Sequence, residues 1–223
     1  MFSEVDLKSL GMLVPSVGFE SSIESFEEMD KKNTIKKGGI LFYGDSDIGY
    51  WRRGDRFAID FSQFPVVNRG FGGARIWETL IYFKRVILPH EPSVLVYNCG
   101  DNDVVRLKGN SSENIKIGFD LFLQTVERQL PDIEKVICLP IHPAPQRNDL
   151  ELWDHQNHGN QIMKEICDGY SFALFEDYNH LLFDDLNLIN ENYFLKDRIH
   201  YNEDFYCILA KYITPILKKY FKG

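Results

Sequence analysis

Basic residues nowhere gather into a patch along this chain. They occur at most as adjacent pairs, such as Lys36-Lys37 and Lys218-Lys219, in 223 residues with a formal net charge of -8. A protein that holds a nucleic-acid backbone ordinarily shows a clustered basic face, so nucleic acid is not an expected partner and the lysine pairs read as solvated surface. Long apolar runs are also missing. None approaches the roughly 18 residues that span a bilayer, so no integral membrane association is expected. The opening Met1-Phe2-Ser3-Glu4-Val5-Asp6 has no basic stretch leading into an apolar core, which is the pattern of a secretory signal, and the expected location is cytoplasmic. Cysteine is scarce, at four residues. Cys99, Cys138, Cys167 and Cys207 form no C-x-x-C pair and mostly lie among apolar neighbours, which favours buried free thiols over disulfides or metal ligands.

What is present is enough apolar material, 44% of residues, for one sizeable core. Residues 1–21 carry little periodicity and read as a flexible extension, followed by a single domain over 22–223. Ile23, Phe26 and Met29 or Asp30 predict a leading helix that ends in Lys31-Lys32-Asn33. Ile40-Leu41-Phe42-Tyr43-Gly44 predicts a first strand. Four more short apolar runs follow it, at Phe64–Val67, Val94–Tyr97, Val136–Leu139 and Phe172–Phe175. Between them the spacing predicts helices through Ile76, Leu80 and Phe83, through Ile115, Phe119, Phe122, Val126 and Leu130, and through Ile162, Met163 and Ile166. Ser111 or Ser112 would cap the second of these and Pro131 would stop it. A last helix should start at Asn202, with Glu203 and Asp204 near its positive end, and bury Phe205, Leu209 and Ile213; Pro215 should kink or shorten it. Strand and helix alternate, which implies a parallel sheet covered on both faces, with the active site beyond the carboxyl ends of the strands.

Four segments there could carry chemistry. Gly44-Asp45-Ser46-Asp47 breaks a strand into a glycine turn and presents a hydroxyl. Asn68-Arg69-Gly70-Phe71-Gly72-Gly73-Ala74 is a glycine-rich turn between strand and helix, but it lacks the lysine of a phosphate-binding loop and the G-x-G-x-x-G spacing. Gly100-Asp101-Asn102-Asp103 places an amide at a strand tip. In Asp197-Arg198-Ile199-His200 the spacing lets a carboxylate reach an imidazole, and none of the other five histidines has a comparable carboxylate after a strand. Each segment alone also reads as an ordinary turn. Together, and in this order, they supply a nucleophile, oxyanion donors, an orienting acid and a base.

In these residues the chain resembles the SGNH hydrolases, or GDSL esterase/lipase family, over roughly residues 23 to 220. The stretches Ile40–Trp51, Val67–Ile76 and Val94–Asp103 are similar to bacterial members related to platelet-activating-factor acetylhydrolase. The resemblance implies a three-layer α/β/α sandwich on a flavodoxin-like five-stranded parallel sheet. It implies Ser46 as nucleophile, His200 as base and then acid, and Asp197 as the residue that orients His200. The oxyanion hole would be the Ser46 and Gly73 backbone N–H groups with the Asn102 side chain; Gly73 follows from counting five residues on from Asn68, with Gly72 in reserve. No cofactor and no metal are required, and the expected partner is a small-molecule ester, short-chain acyl or acetyl. The chain departs from the family at Asp47, where an apolar residue is common, and a charge beside the nucleophile would disfavour anionic substrates. Specificity should come from Ile141–Arg147 and from 177–196, where Tyr178, Phe183, Tyr193 and Phe194 either wall the substrate or pin the loop. Two rival functions stand beside this one: a metal-dependent phosphoesterase using Asp45, Asp101, Asp103 and histidines, and a non-catalytic binding module of the same fold.

Overall fold

The computed structural model describes residues 18–33, 35–107 and 110–223. Side chains alternate between the two faces of a strand, and here the alternation buries both. In β1 (Ile40–Gly44), Leu41 and Tyr43 enter one apolar cluster while Ile40 and Phe42 enter another. In β3 (Val94–Asn98) Leu95 and Tyr97 are set against Val94 and Val96, and in β4 (Lys135–Cys138) Val136 and Cys138 against Ile137. With β2 (Val66–Gly70) and β5 (Ala173–Phe175) these strands form one parallel sheet in the order β2-β1-β3-β4-β5.

A sheet buried on both faces needs helices on both sides. On one side lie α1 (Glu20–Lys32), α4 (Ile76–Ile81), α5 (Phe83–Val86), α7 (Ser111–Gln129) and α9 (Trp153–Cys167). The other side is covered by α2 (Ser46–Tyr50), α3 (Arg56–Asp60) and α10 (Glu203–Tyr220). Two short helices, α6 (Asp101–Leu107) and α8 (Pro145–Asp149), stand at the carboxyl end of the sheet. The result is the expected three-layer sandwich. Cys99, Cys138 and Cys167 are buried free thiols, and Cys207 is half-buried and also free.

Several boundaries move, for identifiable reasons. β2 begins at Val66 rather than Phe64, because Pro65 has no N–H to give a ladder, and as an edge strand it runs on through polar Asn68 and Arg69. The helix predicted through Ile76, Leu80 and Phe83 is two pieces, broken where Tyr82 leaves helical angles. α7 ends at Gln129, just ahead of Pro131. The Asn202 side chain caps α10 by accepting the Phe205 N–H at 3.1 Å. Pro215 does not shorten that helix: Pro215 and Lys211, whose carbonyl loses its donor, both face solvent, where water can replace the bond. α1 takes in Glu20 and Ser21 from the segment read as an extension, and Phe19 just before it is buried in the core; residues 1–17 of that reading lie outside the described residues.

Candidate active site

Gly44 makes the turn that delivers Ser46. Its φ is +151°, and a Cβ there would come within 1.8 Å of the Asn98 carbonyl oxygen. The close approach lets the Asp45 N–H bond that same oxygen at 3.1 Å, so the chain leaves β1 still tied to β3. The Asp45 carboxylate accepts the Asp47 N–H at 3.1 Å, and Ser46 opens α2 at the strand tip, half-buried. Asn68 couples this helix to the next turn, its Nδ2 donating to the Ile48 carbonyl at 2.7 Å and its Oδ1 accepting the Gly70 N–H at 3.1 Å.

The glycine turn after β2 runs alongside. Gly73 has φ +81°, in the region that favours glycine, and the Arg106 guanidinium would lie 3.3 Å from a Cβ placed there. Gly72 is the residue flanking Ser46: a Cβ there would sit 3.8 Å from that of Ser46. Asn102 lies in the first turn of α6 rather than in an open loop. Its Nδ2 gives one hydrogen to the Ala74 carbonyl at 3.0 Å, and the other has nothing nearer than the Asp45 carboxylate at 3.5 Å.

Asp103 caps α4 by accepting the Ile76 N–H at 3.1 Å. Burial pushes its carboxyl up to about 7. Folding therefore favours the protonated form, a stabilisation complete below the ordinary value of 3.8 and lost as pH rises through about 7. Asp103→Asn keeps an acceptor for Ile76 without the charge, so the variant should lose less stability than wild type between about pH 5 and about pH 8 in urea unfolding. An equal loss in both proteins would remove Asp103 as the source.

Asp197 and His200 do not sit at a strand tip. β5 ends at Phe175, and the pair lies far beyond it, on an excursion closed by an antiparallel bridge between Phe194 and Tyr201. Arg198, at φ +58°, turns the chain back. One oxygen of Asp197 accepts the Ile199 and His200 backbone N–H groups, each at 3.0 Å, and the other pairs with His200 Nδ1 at 2.7 Å. Because the carboxylate only accepts, the proton is on Nδ1 and Nε2 is left as a base. Burial alone would raise the Asp197 pKa, but the His200 bond and the two amides outweigh it and hold it below the ordinary value. Tyr50 stacks on the imidazole with centroids 4.0 Å apart and 14° between planes, and Arg53 covers the other face of Tyr50 at 3.5 Å. Among the described residues neither the Ser46 hydroxyl nor His200 Nε2 takes a hydrogen bond, and catalytic contacts of this kind often close only around substrate.

Sequence reasoning passed over Tyr50 and His142. Tyr50 lies one helical turn after Ser46, a signal visible only once α2 is recognised. His142 does have a carboxylate, drawn from a distant part of the chain: Asp47 Oδ2 lies 2.8 Å from its Nδ1. Asp47 is buried and faces this imidazole, so it does not present a bare charge to substrate. Tyr178 and Phe194 are buried and Phe183 and Tyr193 pack on the same cluster, which makes all four pins of the loop. The carboxylates of a two-metal site are committed elsewhere, Asp101 to Arg147 and Asp103 to Ile76, and no group of three or more potential ligands could hold a metal among the described residues. A cavity of about 580 Å³ runs along the free edge of β2 past Arg52, Arg69 and His90, and its lining includes none of Ser46, Asn102 and His200. No described helix is long and apolar enough to cross a membrane.

Solved structures with the same fold include a candidate platelet activating factor from Streptococcus pneumonia, 19% identical, with a TM-score of 0.77 over 96% of this chain and 97% of that one. A GDSL-like lipase from Bacteroides thetaiotaomicron is 20% identical, with a TM-score of 0.72 over 88% of this chain and 97% of its own. A catalytic mutant of an acetylxylan esterase from Geobacillus stearothermophilus is 17% identical, with a TM-score of 0.63 over 82% and 96%. No curated protein matches the chain in sequence. The model of the GDSL-like lipase/acylhydrolase family matches residues 43–213, from the end of β1 into α10. The chain therefore belongs to the GDSL-like lipase/acylhydrolase family and is a serine ester hydrolase.

Proposed function

We propose that the chain hydrolyses small carboxylic esters, of acetyl or another short acyl group, through an acyl-Ser46 intermediate. The observation that carries the reading is the Asp197–His200 pair, whose 2.7 Å bond commits Nδ1 and leaves Nε2 as the base. His200 takes the Ser46 proton as the hydroxyl attacks the ester carbonyl, then returns it to the departing alcohol. Water repeats the sequence on the acyl-serine. The tetrahedral oxyanion is held by the Ser46 and Gly73 N–H groups and by the second Nδ2 hydrogen of Asn102. The acetylxylan esterase among the solved structures of this fold supports an acetyl group.

The test is hydrolysis of p-nitrophenyl esters of increasing acyl length, with and without chelator. Acetate and butyrate should turn over fastest, regardless of chelator; rates that rise steadily with chain length would overturn the short-acyl reading. Asn102→Ala should lower kcat on the acetate by on the order of 100- to 1000-fold. Unchanged turnover would remove Asn102 from the oxyanion hole.

A further inference from the structure

Three catalytic segments share one buried polar network through their chain neighbours. Asp47 follows Ser46, Asp101 precedes Asn102, and Ile199 precedes His200. His142, on the connection after β4, touches two of these, with Nδ1 2.8 Å from Asp47 Oδ2 and Nε2 3.1 Å from the Ile199 carbonyl oxygen. Gln156 of α9 reaches the third, its Nε2 donating to the His142 carbonyl and to Asp101 Oδ1, both at 2.9 Å. Arg147 grips Asp101 through Nε and Nη2. His142 is 1% exposed and Gln156 is fully buried.

From this we infer that Asp47 and His142 are positioning residues, a strut that sets the distance between the Ser46 turn and the His200 excursion. The excursion needs such a tie. Its internal bonds, from the Leu195 N–H to the His200 carbonyl and from the Arg198 N–H to the Leu195 carbonyl, close it on itself. The Gln146 N–H to the Arg198 carbonyl and the exposed Arg198 pair with Asp149 reach α8, and the Arg198 pair with Glu191 reaches the turn before Phe194. Tyr50 of α2 stacks on His200 from the same side; among the described residues, His142 is the one that joins the excursion by polar contacts to a residue adjacent to Ser46. The connection bearing His142 is itself fixed, since Ile141 exchanges bonds of 2.7 and 2.8 Å with the Asn160 side chain and accepts another from Asn179.

The Asp47 carboxylate faces Nδ1 at 2.8 Å, an ion pair whenever the ring is protonated. Burial works against the imidazolium, yet the Asp47 and Asp101 charges with the Ile199 carbonyl prevail and keep its pKa above the ordinary value. Both ring nitrogens then donate or face an acceptor. A buried ion pair brings little net stability over apolar residues of similar size, which leaves geometry as what this one supplies.

The inference rests on the proposed serine mechanism, and the experiment separates the two. For wild type, His142→Gln, Asp47→Asn and the double variant, kcat and KM on p-nitrophenyl acetate are measured per serine labelled to completion by a fluorophosphonate. Both single variants should show kcat per labelled serine about 10- to 100-fold lower, since a displacement near 1 Å costs about that much, with KM within about twofold. The double variant should be no slower than the slower single one, because one strut is broken once. A lowered thermal midpoint with kcat per labelled serine unchanged would make the pair merely structural and overturn the inference. Should His142→Gln fail to fold, the isosteric Asp47→Asn carries the same test. A wild type that is not labelled at all would overturn the serine reading itself.

Discussion

Ser46→Ala is expected to lower kcat on short p-nitrophenyl esters by on the order of a million-fold while leaving the fold untouched. Without the hydroxyl no acyl-enzyme can form, and His200 with its carboxylate has no proton to take. What survives is binding and oxyanion stabilisation, enough for a slow direct attack by water. The fold should not notice the change, because the Ser46 hydroxyl has no hydrogen-bond partner among the described residues, and Asp45 rather than Ser46 caps the helix, so Ala removes no cap. The turn that presents it is set by other groups: Gly44 against Asn98, and Asp45 accepting the Asp47 N–H. Turnover, fluorophosphonate labelling and thermal unfolding together decide the matter. A variant that unfolds at the wild-type temperature, resists labelling and has lost its turnover fits the assignment; one that still hydrolyses at a tenth of the wild-type rate does not.

The parts of this site that could be seen in the sequence are those made by neighbours in the chain. The β1 run ends on Gly44 and Ser46 follows after Asp45, so strand, turn and proposed nucleophile are read in one glance. Asp197 and His200 lie three apart, and their contact is local even though Arg198 bends the chain in a way no helix would. Asn202 and Pro131 mark helix ends because capping and the missing proline donor act within one turn. The parts that were hidden depend on the sheet order. Asp47 and His142 meet because the segments after β1 and after β4 converge over the carboxyl edge, and nothing in either segment announces the other. Tyr50 reaches His200 in the same way. The short helices α2, α6 and α8 carry too few residues for an apolar period, so in the sequence they are indistinguishable from turns.

Asp197→Asn should reduce kcat by on the order of ten-thousand-fold and should be the worse of two substitutions that look similarly disruptive. Asparagine keeps one acceptor oxygen, which can still hold the Ile199 and His200 amides now bonded to Asp197 Oδ1. The turn therefore persists. The atom facing His200 Nδ1 becomes an amide nitrogen, a donor where the carboxylate accepted, and the imidazole must answer by placing its proton on Nε2. A ring protonated on that side cannot take the Ser46 proton. Asp197→Ala also removes the carboxylate, and it gives up the two backbone bonds as well, so it should unfold at lower temperature. Its imidazole is nonetheless free to choose the productive tautomer for part of the time. The asparagine variant is thus expected to be the more stable and the less active of the pair. Part of the Asp197 side chain, 40%, is open to solvent, which allows water to stand in for the missing acceptor only in the alanine variant. Measuring kcat and the thermal midpoint of both tests the point directly. If alanine proved both less stable and slower, Asp197 would be acting as a scaffold for the turn, and the tautomer of His200 would be set by some other group.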